Sequence, residues 1–253
     1  MKVIAIMGSP HKGNGYKIVQ KIETELKLLD NVDFQYIFLS DVNFHTCKGC
    51  FACISKGETF CPLKDEKDNI EQEILKSDGI ILSSPGYAHN VSWLMKNFID
   101  RFAYSLHRPK FFKQSLMLVA NGGSGLNKVI KALSLTLGGG IKACELTITS
   151  SPFEATKKYE DKTNKNIKRN TRNFYNSMKN KKEISPKLGN LIWFKIFKKM
   201  SNVSKKNLPA DYNYYSEKQN YFYKIKVNPF KSCVSDIIAN IAVWSMKKKV
   251  IFK

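Results

Sequence analysis

The sequence predicts an α/β fold: a doubly wound, five-stranded parallel sheet over residues 1–150, followed by a basic, mainly helical extension over residues 151–253. Three observations carry that reading. Short apolar, β-branched runs alternate with helical patterns through the first part, as βαβ units with right-handed crossovers require. Thirteen of the 14 glycines precede residue 150, which puts the tight turns of ligand-binding loops there. After residue 150, 24 Lys and Arg face only 7 Asp and Glu, out of totals of 42 and 21.

Strands are expected at 2–7, 33–39, 79–83, 115–120 and 143–149, each apolar through its middle as a strand covered on both faces should be. Helices are expected at 16–29, 69–76, 92–104 and 126–137. Within the third expected helix, from Ser92, the apolar residues Trp93, Met95 and Phe98 follow helical spacing and read as core or dimer packing. The segment 40–67 breaks the rhythm and carries four of the six cysteines, and an insertion of that length is usually functional or disordered. Beyond Pro152 an Asn-rich basic stretch reaches about residue 182 and reads as a helix or an extended surface segment; 188–200 and 234–246 read as amphipathic or buried helices flanking an aromatic run at 212–223. No internal repeat is visible.

Hydrophobic residues at 43% and charged residues at 25% match ordinary globular usage and argue against global disorder. Met1-Lys2 runs into the short apolar segment Val3 to Met7, too short for a signal peptide's apolar region, and no apolar run reaches the ~18 residues of a membrane span. A soluble, cytoplasmic protein is therefore expected, in which cysteines serve as metal ligands or thiols more often than as disulfides.

The strongest local signal is Gly8-Ser9-Pro10-His11-Lys12-Gly13-Asn14-Gly15 between the first strand and the first helix. Backbone N–H groups at a helix N-terminus, with the Ser9 hydroxyl and the Lys12 ammonium beside them, form a cradle for one phosphate. The loop lacks the third glycine of a dinucleotide fingerprint, and Asn14-Gly15 stand where a nucleoside-triphosphate loop needs Lys and Ser or Thr. Two further loops follow the third and fourth strands: Ser84-Pro85-Gly86-Tyr87-Ala88-His89-Asn90-Val91 and Asn121-Gly122-Gly123-Ser124-Gly125. Both fall at the carboxyl ends of strands, where open α/β sheets bind their ligands.

With these loops and the helix ending Lys96-Asn97-Phe98-Ile99-Asp100-Arg101, the first 150 residues resemble the flavodoxin-like NAD(P)H-dependent FMN reductases. The resemblance implies that Ser9, His11, Lys12, Gly13, Asn14 and Gly15 hold the FMN phosphate. It implies that Pro85, Gly86, Tyr87, Asn90 and Val91, with Asn121, Gly122, Gly123 and Gly125, flank the isoalloxazine. It further implies an oxidoreductase that takes hydride from NAD(P)H and passes electrons to a quinone, a nitro compound, another small-molecule acceptor or a redox protein. One departure is Gly15, where the family commonly has Ser or Thr. His89 lies in the second loop as a further candidate contact to cofactor or substrate, while His45 and His107 read as structural or surface residues.

Cys47, Cys50, Cys53 and Cys61 follow the spacing x2, x2, x7, and Pro62 comes next. Three thiolates at successive x2 spacing wrap one corner of a cubane and a fourth closes it. The spacing resembles the cysteine motif of iron-sulfur flavoproteins, a branch of the same family. Three states stay open: a [4Fe–4S] cluster, reduced thiols, and zinc, the last disfavoured because structural zinc prefers two separated Cys-x2-Cys knuckles. Cys144 and Cys233 read as small buried hydrophobes.

The basic second part invites a nucleic-acid reading, but only four of the 42 basic residues are arginine (Arg101, Arg108, Arg169, Arg172), and bidentate recognition of phosphate and bases favours the guanidinium fork. Peripheral membrane contact through 188–200, with Trp193 and Phe197 beside Lys195, Lys198 and Lys199, fares better, and a helix packed on the core or on a second subunit is its rival. A homo-oligomer is expected. Two other functions remain alongside the reductase: a flavodoxin-like electron carrier, and a non-catalytic, membrane-associated interaction module.

Overall fold

Strand β1 (Lys2–Met7) is fully buried from Val3 onward and forms the centre of the sheet. The computed structural model describes residues 1–150, 153–180 and 185–251, which fall into two compact units. The first comprises Met1–Lys48, Leu63–Leu106 and Lys110–Lys181. Its strands β1, β2 (Asp33–Phe38), β3 (Gly79–Tyr87), β5 (Ser115–Gly122) and β6 (Ile141–Thr149) pair in parallel in the order β2-β1-β3-β5-β6, with a short β4 (Asn90–Val91) antiparallel to the end of β3. This is the flavodoxin-like, doubly wound arrangement expected from the alternation of elements.

Both faces of the sheet are covered. Val3, Ala5, Met7, Ile81, Met117, Val119 and Leu146 form one core with α1 (Asn14–Lys27) and α7 (Lys157–Lys179), while the alternate residues Ile4, Ile6, Ile80, Leu82 and Leu118 are equally buried. Burial on two faces explains why these strands read as continuous apolar runs. The remaining helices of this unit are α3 (Lys67–Lys76), α4 (Trp93–Arg101), α5 (Tyr104–His107, whose last residue belongs to the second unit) and α6 (Leu126–Leu133). Of the apolar residues expected in α4's packing, Met95 and Phe98 are buried, and Trp93 is exposed.

Two expectations are corrected. The strand expected to end at Ser83 continues to Tyr87, because the turn-forming run Ser84-Pro85-Gly86 stays in register with β5 as far as Pro85 opposite Asn121 and then hydrogen-bonds to β4. The reversal is made at Ala88 and His89, both with positive φ (48° and 60°), so the loop expected at 84–91 is a β-hairpin. The second correction concerns the boundary at residue 150. Helix α7, assigned by composition to the extension, packs on β6 and α1 through Ile167, Phe174 and Met178 and belongs to the first unit. Its polar, Asn-rich outer face masked a buried stripe spaced at seven and four residues.

The second unit comprises Gly49–Pro62, His107–Pro109 and Lys182–Lys253. It holds α2 (Ala52–Ser55), a 3₁₀ turn (Glu58–Phe60), α8 (Leu188–Val203), α9 (Pro209–Ser216) and α10 (Pro229–Lys247). Its core is aromatic: Leu191, Phe194, Tyr215 and Tyr221 are buried together, with Phe194 and Phe222 in edge contact at 4.9 Å between ring centroids. Burial pushes the Tyr221 hydroxyl up to about 12. Among the described residues no helix is long and apolar enough to cross a membrane.

Candidate functional site

Parallel register brings three loops to one edge of the first unit's sheet, since Met7 lies beside Ser83 and Ser83 beside Val119. The first loop leaves β1 at Gly8, whose N–H donates to Ser83 O at 2.8 Å. Ser9 is buried, and its hydroxyl donates to the carbonyl of His11 at 2.7 Å, closing a tight turn. His11 is exposed, and the Lys12 ammonium lies 4.6 Å from the centroid of the Phe38 ring at the end of β2. Gly13 is the N-cap of α1 and brings no side chain to the first-turn N–H groups; Asn14 and Gly15 are the helix's first two residues.

The second and third loops are tied to the first and to each other. Ser92 Oγ, which caps α4 by accepting from Met95 N at 3.1 Å, donates to the carbonyl of Gly8. Ser92 N donates to Ser84 Oγ at 3.0 Å, holding the base of the hairpin. At its tip, His89 Nε2 lies 3.1 Å from Ser124 Oγ, and the His89 ring covers Gly125, where a Cβ would meet it at 2.6 Å. Gly125, at φ 70°, is the N-cap of α6, a position where a left-handed backbone and the close ring both require glycine. Around this frame Pro85 and Val91 are buried, while Tyr87 (48% exposed), Asn90 and Gly123 face outward.

Gly15 and Asn121 explain each other. A Cβ at Gly15 would lie 2.9 Å from Asn121 Oδ1, so the asparagine occupies the space that a Ser or Thr side chain would enter. Asn121 is itself buried with Oδ1 lacking a hydrogen-bond partner, an acceptor aimed at the junction of the first and third loops. A buried orphan acceptor costs ~1–3 kcal/mol, so a ligand that supplies a donor here gains affinity. Together with the uncapped α1 N-terminus, this fits a bound phosphate-bearing cofactor.

The cysteine segment is held by two arginines that composition alone did not single out as site residues. In the first unit, Asn97 Oδ1 accepts from Cys47 N at 2.9 Å, while Asn97 Nδ2 and Arg101 both donate to the carbonyl of His45, at 3.2 and 2.8 Å. Arg101 also makes a two-armed pair with Asp65 at 2.6 and 2.9 Å. Burial alone would raise the Asp65 carboxyl, but hydrogen bonds from Arg101, Lys67 N and His45 N outweigh it and hold the group below its usual range. In the second unit, Arg108 donates to the carbonyls of Cys53 and Ile54 and pairs with Asp211 and Glu58. His107 Nδ1 lies 2.8 Å from the other Asp211 oxygen.

None of the six cysteines is in a disulfide. Cys50 is exposed, and Cys47, Cys53 and Cys61 are half-buried. Among the described residues no group of three or more His, Cys, Asp or Glu is placed to hold a metal ion. Burial pushes the Cys144 thiol up to about 12, which leaves it inert as a nucleophile or ligand. Cys233, expected to be buried, is exposed on α10.

The model of a family described as NADPH-dependent FMN reductase matches residues 1–151. An iron-sulfur flavoprotein of Archaeoglobus fulgidus is 35% identical over 144 residues, covering 52% of this chain and 63% of that protein. An iron-sulfur flavoprotein of Clostridioides difficile is 32% identical over 145 residues, covering 55% of this chain and 64% of that protein. The chain thus spans less than two thirds of the length of these relatives. Among solved structures, a flavone reductase superposes with a TM-score of 0.53 at 17% identity, over 71% of this chain and 64% of that one, a likeness of fold.

Proposed function

The chain belongs to the NADPH-dependent FMN reductase family, and from that premise we propose that it is an FMN-dependent NAD(P)H oxidoreductase whose electrons go to a quinone, a nitro compound, another small acceptor or a redox protein. Bound FMN would supply the chemistry, accepting hydride at N5 and passing electrons on, while the protein supplies position and electrostatics. The observation that carries the reading is the joining of three strand-end loops by Gly8–Ser92 and His89–Ser124, around an uncapped helix N-terminus and the orphan Asn121 oxygen. Ser9, Lys12 and Asn14 would hold the phosphate, with the N–H groups from Gly13 to Gly15. For Ser9 this means turning its hydroxyl proton from the His11 carbonyl to the phosphate. Tyr87, Asn90 and Gly122 to Gly125 would border the ring. Six cysteines with no disulfide among them suit the reducing cytoplasm. Trp93, 67% exposed at the start of α4, suits self-association.

Replacing Ser9 and Asn14 together with alanine is expected to weaken FMN binding by ~1–3 kcal/mol, the worth of hydrogen bonds to a charged oxygen. Fluorescence titration of FMN into the folded double variant measures this, and an unchanged Kd would sink the phosphate assignment. Oxidation of NADPH or NADH by FMN-loaded protein separates a reductase from an electron carrier and from a non-catalytic module.

The finer reading places a [4Fe–4S] cluster on Cys47, Cys50, Cys53 and Cys61. Four cysteines outside any disulfide, at x2, x2, x7 spacing, and the names of the two relatives support it. The donor set fits a cluster chemically, and metal binding commonly couples to ordering of the ligand loop. Anaerobic reconstitution should load about four iron and four sulfide per chain, with a broad absorbance that Cys50→Ser diminishes. Iron that stays at trace levels would remove the cluster and leave the FMN assignment standing.

A further inference from the structure

Helix α10 is apolar on two opposite sides, and the protein explains only one of them. Ser235, Ala239 and Val243 are buried at four-residue intervals and face α8. At 3.6 residues per turn the opposite side is formed by Phe230, Ile237, Ile241 and Trp244, which are 77%, 54%, 60% and 59% exposed. A helix of a water-soluble protein ordinarily turns a polar face outward.

The charges around this stripe have one sign. Lys231 stands at its start and Lys247, Lys248 and Lys249 at its end, with the Lys248 ammonium 3.5 Å from the centroid of the Trp244 ring. The helix's one acid, Asp236, is engaged by Lys195 and Lys199 of α8. From Leu188 to Ile251 there are twelve lysines against Asp211, Glu217 and Asp236, and Asp211 is taken by Arg108 and His107.

We propose that α10 docks on an anionic lipid surface, with Phe230, Ile237, Ile241 and Trp244 entering the headgroup boundary and Lys231 and Lys247 to Lys249 meeting lipid phosphates. Apolar insertion and a basic rim are the two halves of interfacial binding, and each lysine near an anionic leaflet adds to it. Indole rings favour that depth. A second copy is the weaker occupant, because a two-fold contact through this face would set lysines against lysines. The sequence offered α8 for such contact beside the rival of a packed helix, and Leu191 and Phe194 of α8 lie in its unit's own core.

The test is co-sedimentation of the full chain with vesicles of phosphatidylcholine, alone or with about one-third phosphatidylglycerol. The wild type should sediment only with the anionic vesicles, and with a blue shift of tryptophan emission that W244S abolishes. The triple variant I237S/I241S/W244S, altered only at exposed positions, should keep its circular dichroism spectrum and bind at least ~tenfold more weakly, as lost apolar insertion requires. Substituting glutamate at Lys247, Lys248 and Lys249 should weaken binding as much. The proposal is overturned if the wild type ignores anionic vesicles, if the triple variant binds them as well as the wild type, or if the triple variant halves the solution mass, which would assign the stripe to a second copy.

Discussion

Arg108→Met is expected to destabilise the second unit by about 3–5 kcal/mol, the cost of leaving one partner of a buried ion pair behind. The Arg108 and Asp211 side chains are 6% and 3% exposed, so without the guanidinium Asp211 is left in a buried site that has lost its ion-pair partner. Methionine fills the volume of the aliphatic stem, so the loss reports on charge and hydrogen bonding more than on a cavity. The same guanidinium donates to the carbonyls of Cys53 and Ile54, and these bonds go with it. Hydrogen exchange of the amides from Ala52 to Phe60 should therefore accelerate beyond the change in the first unit's sheet. Under the cluster reading, the iron retained after reconstitution should fall in parallel. A second variant isolates the cause: adding Asp211→Leu removes the stranded carboxylate and should recover part of the lost stability. Exchange across 52–60 that is unchanged in Arg108→Met would refute the anchoring role.

The parts of this structure that were legible in the sequence are those written in local patterns. Val3 to Met7, Ile80 to Leu82 and Leu116 to Ala120 read as strands because both faces are buried, which leaves an unbroken apolar run. The loops at Gly8, Ser84 and Asn121 were visible because turns and close approaches demand glycine and proline within a few positions. What stayed hidden rests on partners far apart in the chain. Arg101 finds Asp65 across 36 positions and Arg108 finds Asp211 across 103, and no period or spacing announces such pairs. Gly15 departs from the family's usual Ser or Thr, and the reason lies in Asn121, distant in sequence, whose side chain fills that space. Helix α7 shows the opposite failure: its composition matched the basic extension, while Ile167, Phe174 and Met178 had committed it to the sheet.

Arg101→Met is expected to cost the first unit a similar ~3–5 kcal/mol at neutral pH, and here the pH dependence identifies the mechanism. The two side chains are 2% and 0% exposed, and the folded Asp65 carboxyl lies below its ordinary value of 3.8, despite the opposing effect of burial, because Arg101, Lys67 N and His45 N hydrogen-bond it. A depressed carboxyl stabilises the fold above the unfolded pKa and loses that contribution as pH falls through the folded value. In the variant the guanidinium is gone and burial dominates, so Asp65 is driven toward its neutral form, and the penalty for its charge disappears in acid. The stability gap between wild type and Arg101→Met, measured by urea unfolding, should therefore be widest at neutral pH, begin to close as pH falls through the variant's raised Asp65 value, and go on closing until the wild type's depressed value is passed. A gap as wide at pH ~3 as at pH ~7 would mean that lost packing, not the stranded carboxylate, causes the destabilisation. The structural consequence is specific as well. Arg101 shares the His45 carbonyl with Asn97, whose Oδ1 holds Cys47 N, so the backbone from Phe44 to Cys47 should lose exchange protection in Arg101→Met. Asn97→Ala should do the same without the pH signature, because it removes the loop's hydrogen bonds and leaves the ion pair intact.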